Sequence, residues 1–358
     1  MNVITRKRGL AGLALLGAAG LLLAGCSAAP TASSTAKSVD FKGCAVSDEG
    51  SWQDKSFNEA AYEGLMKAKT DLGITTADAE SNSTEDFDPN LAQMVSAKCD
   101  LTFAVGFNLI DPVNAAAAAN PDFNFVTIDG SVTDAAKTPN LKAINYSMAQ
   151  SSYLAGYLAA AYSTSKVIGT YGGLDIPAVT EFMEGFYYGA KAYEKETGTA
   201  VKVLGAPVGG GGTFTDPGKS FGDTEGAKTI SAGQIADGAD VIFPVAGGLF
   251  SATAEAIKES GKPVVFIGVD KNIAVTSPEY KDLVLTSVEK RMTQAVYDVI
   301  DDTIKNGFSS KAYLGTLEND GTDLSDFGAF DSKVSDEIKD KLKTLKAGII
   351  DGSIDPLK

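Results

Sequence analysis

Histidine is missing altogether from the 358 residues. Its absence removes the commonest general base, every histidine-based triad and most zinc sites. Cationic residues are in short supply, 31 Lys and Arg against 46 Asp and Glu, for a net charge of −15. Nucleic acid, whose phosphates need cationic neutralisation, is therefore a poor partner. Past the N-terminus no apolar run reaches the ~20 residues that a membrane span needs. There is no Ser-x-x-Lys motif set and no Gly-x-Ser-x-Gly elbow. The glycine-rich stretch Gly209 to Ser220 misses the phosphate-loop spacing, because Thr213 stands where the first glycine belongs. The acidic segment from Asn319 to Asp326 lacks the ligand spacing and closing glutamate of an EF-hand, and reads as a plain polar loop. Carboxylates remain. Asp48, Asp129 and Asp270 each follow a strand-like run, and they support glycosidic chemistry only if two of them face one scissile bond.

The N-terminus carries Arg6-Lys7-Arg8, a run of small and apolar residues, then Leu23-Ala24-Gly25-Cys26. This pattern is a secretory signal peptide over 1–25, too short for a comfortable span. Its cleavage region resembles a bacterial lipobox, which implies lipid on the Cys26 sulfur. Residues 26–39 then form the lipidated cysteine and a small, polar, flexible tether, and lipid chains hold the protein on the outer face of a membrane. Of the three cysteines, Cys44 and Cys99 are left over, in a compartment where a disulfide persists. They lie at the first and third strand-like runs, neighbours in a 2-1-3 strand order. A disulfide fits that order; two buried free thiols are the alternative.

Apolar strand-like runs at 43–46, 101–106, 124–129, 166–171, 201–204, 240–245, 264–270 and 283–287 alternate with amphipathic segments such as 59–70, 88–98, 148–162, 179–197, 224–236 and 251–260. Such alternation predicts α/β architecture, parallel sheets with helices on both faces. The series restarts near Lys166, and one sheet of ten strands is at the upper limit of what is seen. Two lobes are expected, with ligand between them: 40–146 with 274–312 as lobe 1, and 147–273 with 313–358 as lobe 2.

The stretch from Ser47 to Asn58 is the richest in candidate contacts. It joins a strand to a helix, where ligands bind in open parallel sheets. Trp52 or Phe57 can stack, Asn58 offers donors and an acceptor, and Asp48 and Asp54 accept hydroxyl protons. A polar loop with a helix cap at Ser56 or Asn58 is the plainer alternative. Phe214 lies in a glycine-rich loop and can close over a flat ligand or wedge against its own lobe.

Several stretches together resemble the basic membrane lipoproteins, nucleoside-binding receptors of ABC transporters. They are Asp54-Lys55-Ser56-Phe57-Asn58, Val105-Gly106-Phe107, Tyr171-Gly172-Gly173 with Ile176-Pro177, the run from Gly238 to Gly248, Ile267-Gly268-Val269-Asp270, and Leu285-Thr286-Ser287 with Lys290. The resemblance implies a two-lobe periplasmic-binding-protein type I fold, hinged, with ligand between the lobes. It implies no catalysis, no cofactor and no metal. Phe57 and Phe214 match opposed base-stacking rings, Asn58 and Asp129 meet the base edge, and Asp48 and Asp270 accept ribose hydroxyls. Gly247 admits backbone to the ligand, Lys290 supplies a donor near the sugar, Phe107 joins the ligand-binding set, and Trp52 adds a third ring or shields the pocket. The chain departs from the family after Asp270, where Lys271-Asn272 replaces the usual polar continuation. The function implied is a monomeric, lipid-anchored, extracytoplasmic receptor that delivers nucleosides, purines first, to an ABC permease. A carboxylate-dependent nucleoside or glycoside hydrolase, and a surface sensor of a sugar-like signal, are the alternatives.

Overall fold

The computed structural model describes residues 39–358. The signal peptide, the tether and the Cys26 lipidation site expected from the sequence lie outside the described residues. The first half of the chain alternates as β1 (Lys42–Glu49), α1 (Phe57–Leu72), β2 (Thr75–Ser81), α2 (Phe87–Ser96), β3 (Leu101–Val105), α3 (Ile110–Ala119), β4 (Asn124–Ile128) and β5 (Leu141–Tyr146). The pattern then repeats as α4 (Met148–Tyr162), β6 (Val167–Gly172), α5 (Pro177–Thr197), β7 (Lys202–Leu204), α6 (Thr224–Ala236), β8 (Val241–Val245), α7 (Phe250–Ser260), β9 (Val265–Asp270), α8 (Ile273–Thr276) and β10 (Val284–Lys290). The chain closes with α9 (Met292–Asn306), β11 (Tyr313–Gly315), β12 (Thr322–Leu324) and α10 (Asp336–Ile350).

These strands form two sheets, ordered β11-β5-β4-β3-β1-β2 and β12-β10-β9-β8-β6-β7. Every pairing is parallel except β10 with β12. Strands β3, β8 and β9 are buried along their whole length, which is why they read as unbroken apolar runs. The two sheets follow the same chain order, so the lobes are repeats of one plan.

The strand pairing corrects one expectation. The sequence places 274–312 with lobe 1 and everything from 313 with lobe 2. Strand β10 instead pairs with β9 in the second sheet, and β11 pairs with β5 in the first. Within that stretch α9 and the segment that follows it do stay on the first lobe: the Thr293 hydroxyl donates to Ala60 O over 2.8 Å, and Lys142 Nζ of β5 donates to Ser309 O and Lys311 O. The reason is local: a short crossover through α8 returns the chain beside the strand it has just left. Apolar content marks a strand but does not say which sheet it joins.

Helix α4 is buried almost all round and packs on α5 and α10. Glycines let the backbones of α4 and α5 approach: a Cβ at Gly156 would meet Phe186 O at 1.9 Å, and one at Gly189 would meet Tyr153 O at 1.9 Å. The buried face of α5 includes Phe182 and Phe186, and fully burying each such ring contributes about 1.5–3 kcal/mol. A separate apolar cluster backs each sheet on its outer side. In the first lobe that cluster contains Cys44 and Cys99, joined by a disulfide between β1 and the approach to β3 with Cα atoms 6.0 Å apart. Among the described residues no helix is long and apolar enough to cross a membrane.

Candidate ligand-binding site

A cavity of about 290 Å³ lies between the lobes, where the carboxyl ends of β1, β3, β4, β6, β8, β9 and β10 converge. That is the position at which open parallel sheets take ligands, and the size is near the lower bound of small-molecule pockets, roughly 300 Å³. Of the residues expected from the sequence, Asp48, Phe57, Asn58, Phe107, Asp129, Gly247, Asp270 and Lys290 all line it.

The first lobe contributes an acid and an amide side by side. Asp48 is the last residue but one of β1, and its carboxylate lies so close over Gly106 that a Cβ there would meet Oδ2 at 1.9 Å. Gly106 also has φ of 118°, so only glycine suits the position. Asn58 Nδ2 donates to Asp48 Oδ1 over 3.4 Å, while Asn58 Oδ1 is buried without a protein partner. Burial pushes the Asp48 carboxyl up to about 7; the Asn58 hydrogen bond opposes the shift, and the charges of Glu49, Asp54 and Asp129 add to it. Asp54, rather than Ser56 or Asn58, caps α1. Its carboxylate accepts from the backbone N–H groups of Ser56, Asn58 and Glu59 at 2.8, 2.9 and 3.1 Å.

The second lobe contributes Asp270 and Lys290. Asp129 and Asp270 occupy matching places in the two repeats, after β4 and at the end of β9, and both have left-handed backbones with φ of 56° and 66°. Side chains other than glycine seldom hold that conformation, and when they do it marks a functional position often enough to warrant attention. Lys290 Nζ donates to Asp129 Oδ2 over 2.5 Å, across the two lobes. Ser56 Oγ of the first lobe donates to Asp270 Oδ2 over 2.6 Å. Burial pushes Asp270 up to about 6, against the pull of the Lys290 ammonium and the Ser56 hydroxyl.

Rings wall the rest. Lys290 Nζ sits 5.2 Å from the ring centroids of both Phe57 and Phe182. Phe221 closes another side; its ring packs where a Cβ on Gly173 would fall. Neither Phe182 nor Phe221 is foreseen from the sequence. Phe182 looks like any apolar residue on the inner face of α5, and the cavity is an extension of that core. Phe221 had a weak signal, a ring between Ser220 and Gly222 in the same loop as Phe214.

Two expected residues are corrected. Phe214 does not line the cavity. The backbone of its neighbours is hydrogen-bonded to both sides of Gly172, 2.9 Å from Gly172 N to Thr213 O and 3.0 Å from Thr215 N to Gly172 O. This strap lays the Phe214 ring over Gly172. Trp52 is absent from the lining too. It is buried and stacks on Tyr62 with centroids 5.1 Å apart and planes 16° apart. The Trp52 backbone N–H donates to Glu80 Oε1 over 2.6 Å, which ties down the main chain of this segment.

A family model described as Bmp, "ABC transporter substrate-binding protein PnrA-like", matches residues 41–354. The ABC transporter nucleoside-binding protein BmpA of Lactococcus lactis is 31% identical over 369 residues, covering 98% of both chains. An uncharacterized lipoprotein of Pyrococcus abyssi is 34% identical over 331 residues, covering 88% of this chain and 76% of that one. Among solved structures, an ABC transporter solute-binding protein of Aeropyrum pernix K1 superposes with a TM-score of 0.77 at 24% identity, over 88% of this chain and 92% of the other. A periplasmic solute-binding protein of Actinobacillus succinogenes, solved with bound D-allose, gives 0.61 at 13% identity, over 82% and 100%. At those identities the likeness is one of fold: the two-lobe periplasmic-binding-protein type I architecture.

Proposed function

The chain belongs to the Bmp family of ABC transporter substrate-binding proteins, and from that premise we propose that it binds a purine nucleoside between its lobes and delivers it to a membrane permease. The observation that carries this reading is the cavity itself. It sets aromatic walls (Phe57, Phe182, Phe221) beside a buried amide oxygen on Asn58 that has no partner among the described residues, the buried carboxylates of Asp48 and Asp270, and Asp129, whose side chain is 9% exposed. A flat base with polar edges and a hydroxylated sugar matches that mixture.

Phe57 stacks on the base, and stacking of this kind contributes about 1–3 kcal/mol per base. Asn58 and Asp48, hydrogen-bonded to each other, meet the polar edge of the base. Asp270 and the Lys290–Asp129 pair take the sugar hydroxyls. An analogue without those hydroxyls leaves buried charge unpaired, which is a strong basis for rejection. Gly247, with φ of 54°, lets backbone approach the ligand. Ligand that touches both lobes favours the closed arrangement by its differential affinity for it, and that form docks on the permease. The work is binding and handover, not catalysis. The N-terminal signal and Cys26 support anchoring on the extracytoplasmic face, as do relatives named lipoproteins.

The test is native mass spectrometry of the purified protein, followed by long incubation with inosine and chromatography of the supernatant. The proposal expects a nucleoside mass on the protein and intact inosine recovered. Free hypoxanthine would establish a hydrolase instead.

A further inference from the structure

Outside the cavity, a second set of contacts joins the lobes. Lys271 follows Asp270 directly and reaches across to α1. Its ammonium lies 2.8 Å from Glu59 Oε1 and 2.8 Å from Glu63 Oε1, two acids one turn apart on the same helix face. The Lys271 and Glu59 side chains are only 11% and 13% exposed, so the pair is shielded far better than an ordinary surface ion pair; Glu63, at 47%, stays wet. Lys55 braces Glu59 from the other side over 3.2 Å. Burial alone would lower the Lys271 ammonium, yet the two carboxylates hold it above its ordinary range.

We propose that Lys271, clasped by Glu59 and Glu63, is a latch that positions the two halves of the binding site and sets how readily the cleft closes. The latch rests on the reading of the cavity as a cleft that closes around a ligand. None of its three residues lines the cavity, so it acts without touching a ligand. It acts on the right elements, however. Glu59 and Glu63 belong to the helix whose first two residues are Phe57 and Asn58, and Lys271 is bonded to Asp270. Holding Lys271 against α1 therefore holds Asp270 against Ser56 and faces one half of the ligand shell toward the other. When the lobes part, one cation and two acids return to water. The latch is electrostatic and partly exposed, so dissolved ions weaken it. Closure then becomes responsive to ionic strength, and only the closed fraction of the protein is competent to hold ligand.

The experiment uses the mature chain carrying exposed spin labels at Thr70→Cys in the first lobe and Glu279→Cys in the second. Pulsed-EPR distances are recorded without ligand, at about 50 mM and about 500 mM NaCl, concentrations that span the range in which the Debye length falls through 10 Å. Inosine Kd is measured in parallel. In the parent, raising salt shifts the distances toward the open arrangement. Lys271→Gln is open-shifted already at low salt and has lost the salt response; Glu63→Gln, which keeps the better-buried contact, lies between. Inosine binds Lys271→Gln roughly three- to tenfold more weakly at low salt, with the gap closing at high salt. Distances and salt response unchanged in Lys271→Gln would overturn the latch, whatever the affinity does. A parent that shows these shifts but binds no nucleoside keeps the latch and removes the nucleoside reading.

Discussion

The ammonium of Lys290, at the end of β10, meets the carboxylate of Asp129, just past β4, at 2.5 Å. One residue comes from each lobe, and both are shielded, with side chains 3% and 9% exposed. The pair sits among the rings of Phe57, Tyr146 and Phe182, and Lys290 is the one cation among the described residues that line the cavity. Removing one partner of such a pair leaves an uncompensated buried charge, at a cost of about 3–5 kcal/mol. Lys290→Met is expected to lower stability by about that amount and to weaken nucleoside binding more than tenfold. The double variant with Asp129→Asn recovers most of the stability but not the affinity. Urea unfolding with calorimetry of all three proteins checks this.

The acids of the cavity predict a pH response. Burial lifts Asp48 to about 7 and Asp270 to about 6, well above ordinary carboxylates. A carboxyl raised in the folded state binds its proton more tightly there than in the unfolded chain. Its contribution is complete below pH ~4 and is lost as pH climbs through the folded value. The ligand-free protein therefore loses stability between about pH 4 and pH 7 from these two groups. Asp48→Asn flattens the upper part of that slope. Denaturant midpoints from pH 4.5 to 8 in parent and variant give the measurement; identical slopes would contradict the assignment.

How much of this was legible beforehand depends on the kind of residue. Alternating apolar runs mark the repeating α/β plan because parallel strands are covered on both faces. Acids and amides at strand ends, Asp48, Asp129 and Asp270 among them, reach the cavity because the strand direction carries them there. Rings did not read as well. Trp52 and Phe57 lie five residues apart, one in the loop after β1 and one at the start of α1, yet Trp52 packs inward on Tyr62 while Phe57 faces the ligand space. Phe214 and Phe221 share a loop, and backbone bonds to Gly172 decide which of them reaches the cleft. Those orientations come from contacts distant in sequence. The same is true of β10 and β11, whose sheets are chosen by crossovers and not by composition.

The bridge between Cys44 and Cys99 closes a loop of 55 residues in the first lobe. Replacing both with serine should destabilise the protein by about 2–4 kcal/mol. The disulfide lies in the outer cluster, away from the cavity lining, so inosine affinity at 25 °C should change less than threefold in protein that remains folded. Thermal melts and titrations of Cys44→Ser/Cys99→Ser separate the two effects. A large loss of affinity in folded protein would show that the bridge shapes the site.

Charge predicts which ligands are refused. Asp48, Glu49, Asp54, Asp129 and Asp270 line the cavity with Lys290, whose charge is already engaged by Asp129. A dianionic phosphate brought into that field meets repulsion and finds no free cation among the described lining residues. Inosine 5′-monophosphate is expected to bind at least a hundredfold more weakly than inosine. Competition against a fluorescent nucleoside measures the ratio; equal affinities would place the ligand's 5′ end outside the acids.

The most direct test of the account is calorimetric titration of inosine into the parent protein and into Phe57→Ala, with circular dichroism to confirm that both are folded. Loss of one stacked ring is expected to weaken binding at least tenfold, in line with about 1–3 kcal/mol for a base on an aromatic face. Equal affinity in the two proteins, or no binding to the parent, would contradict a nucleoside held against Phe57 between the lobes.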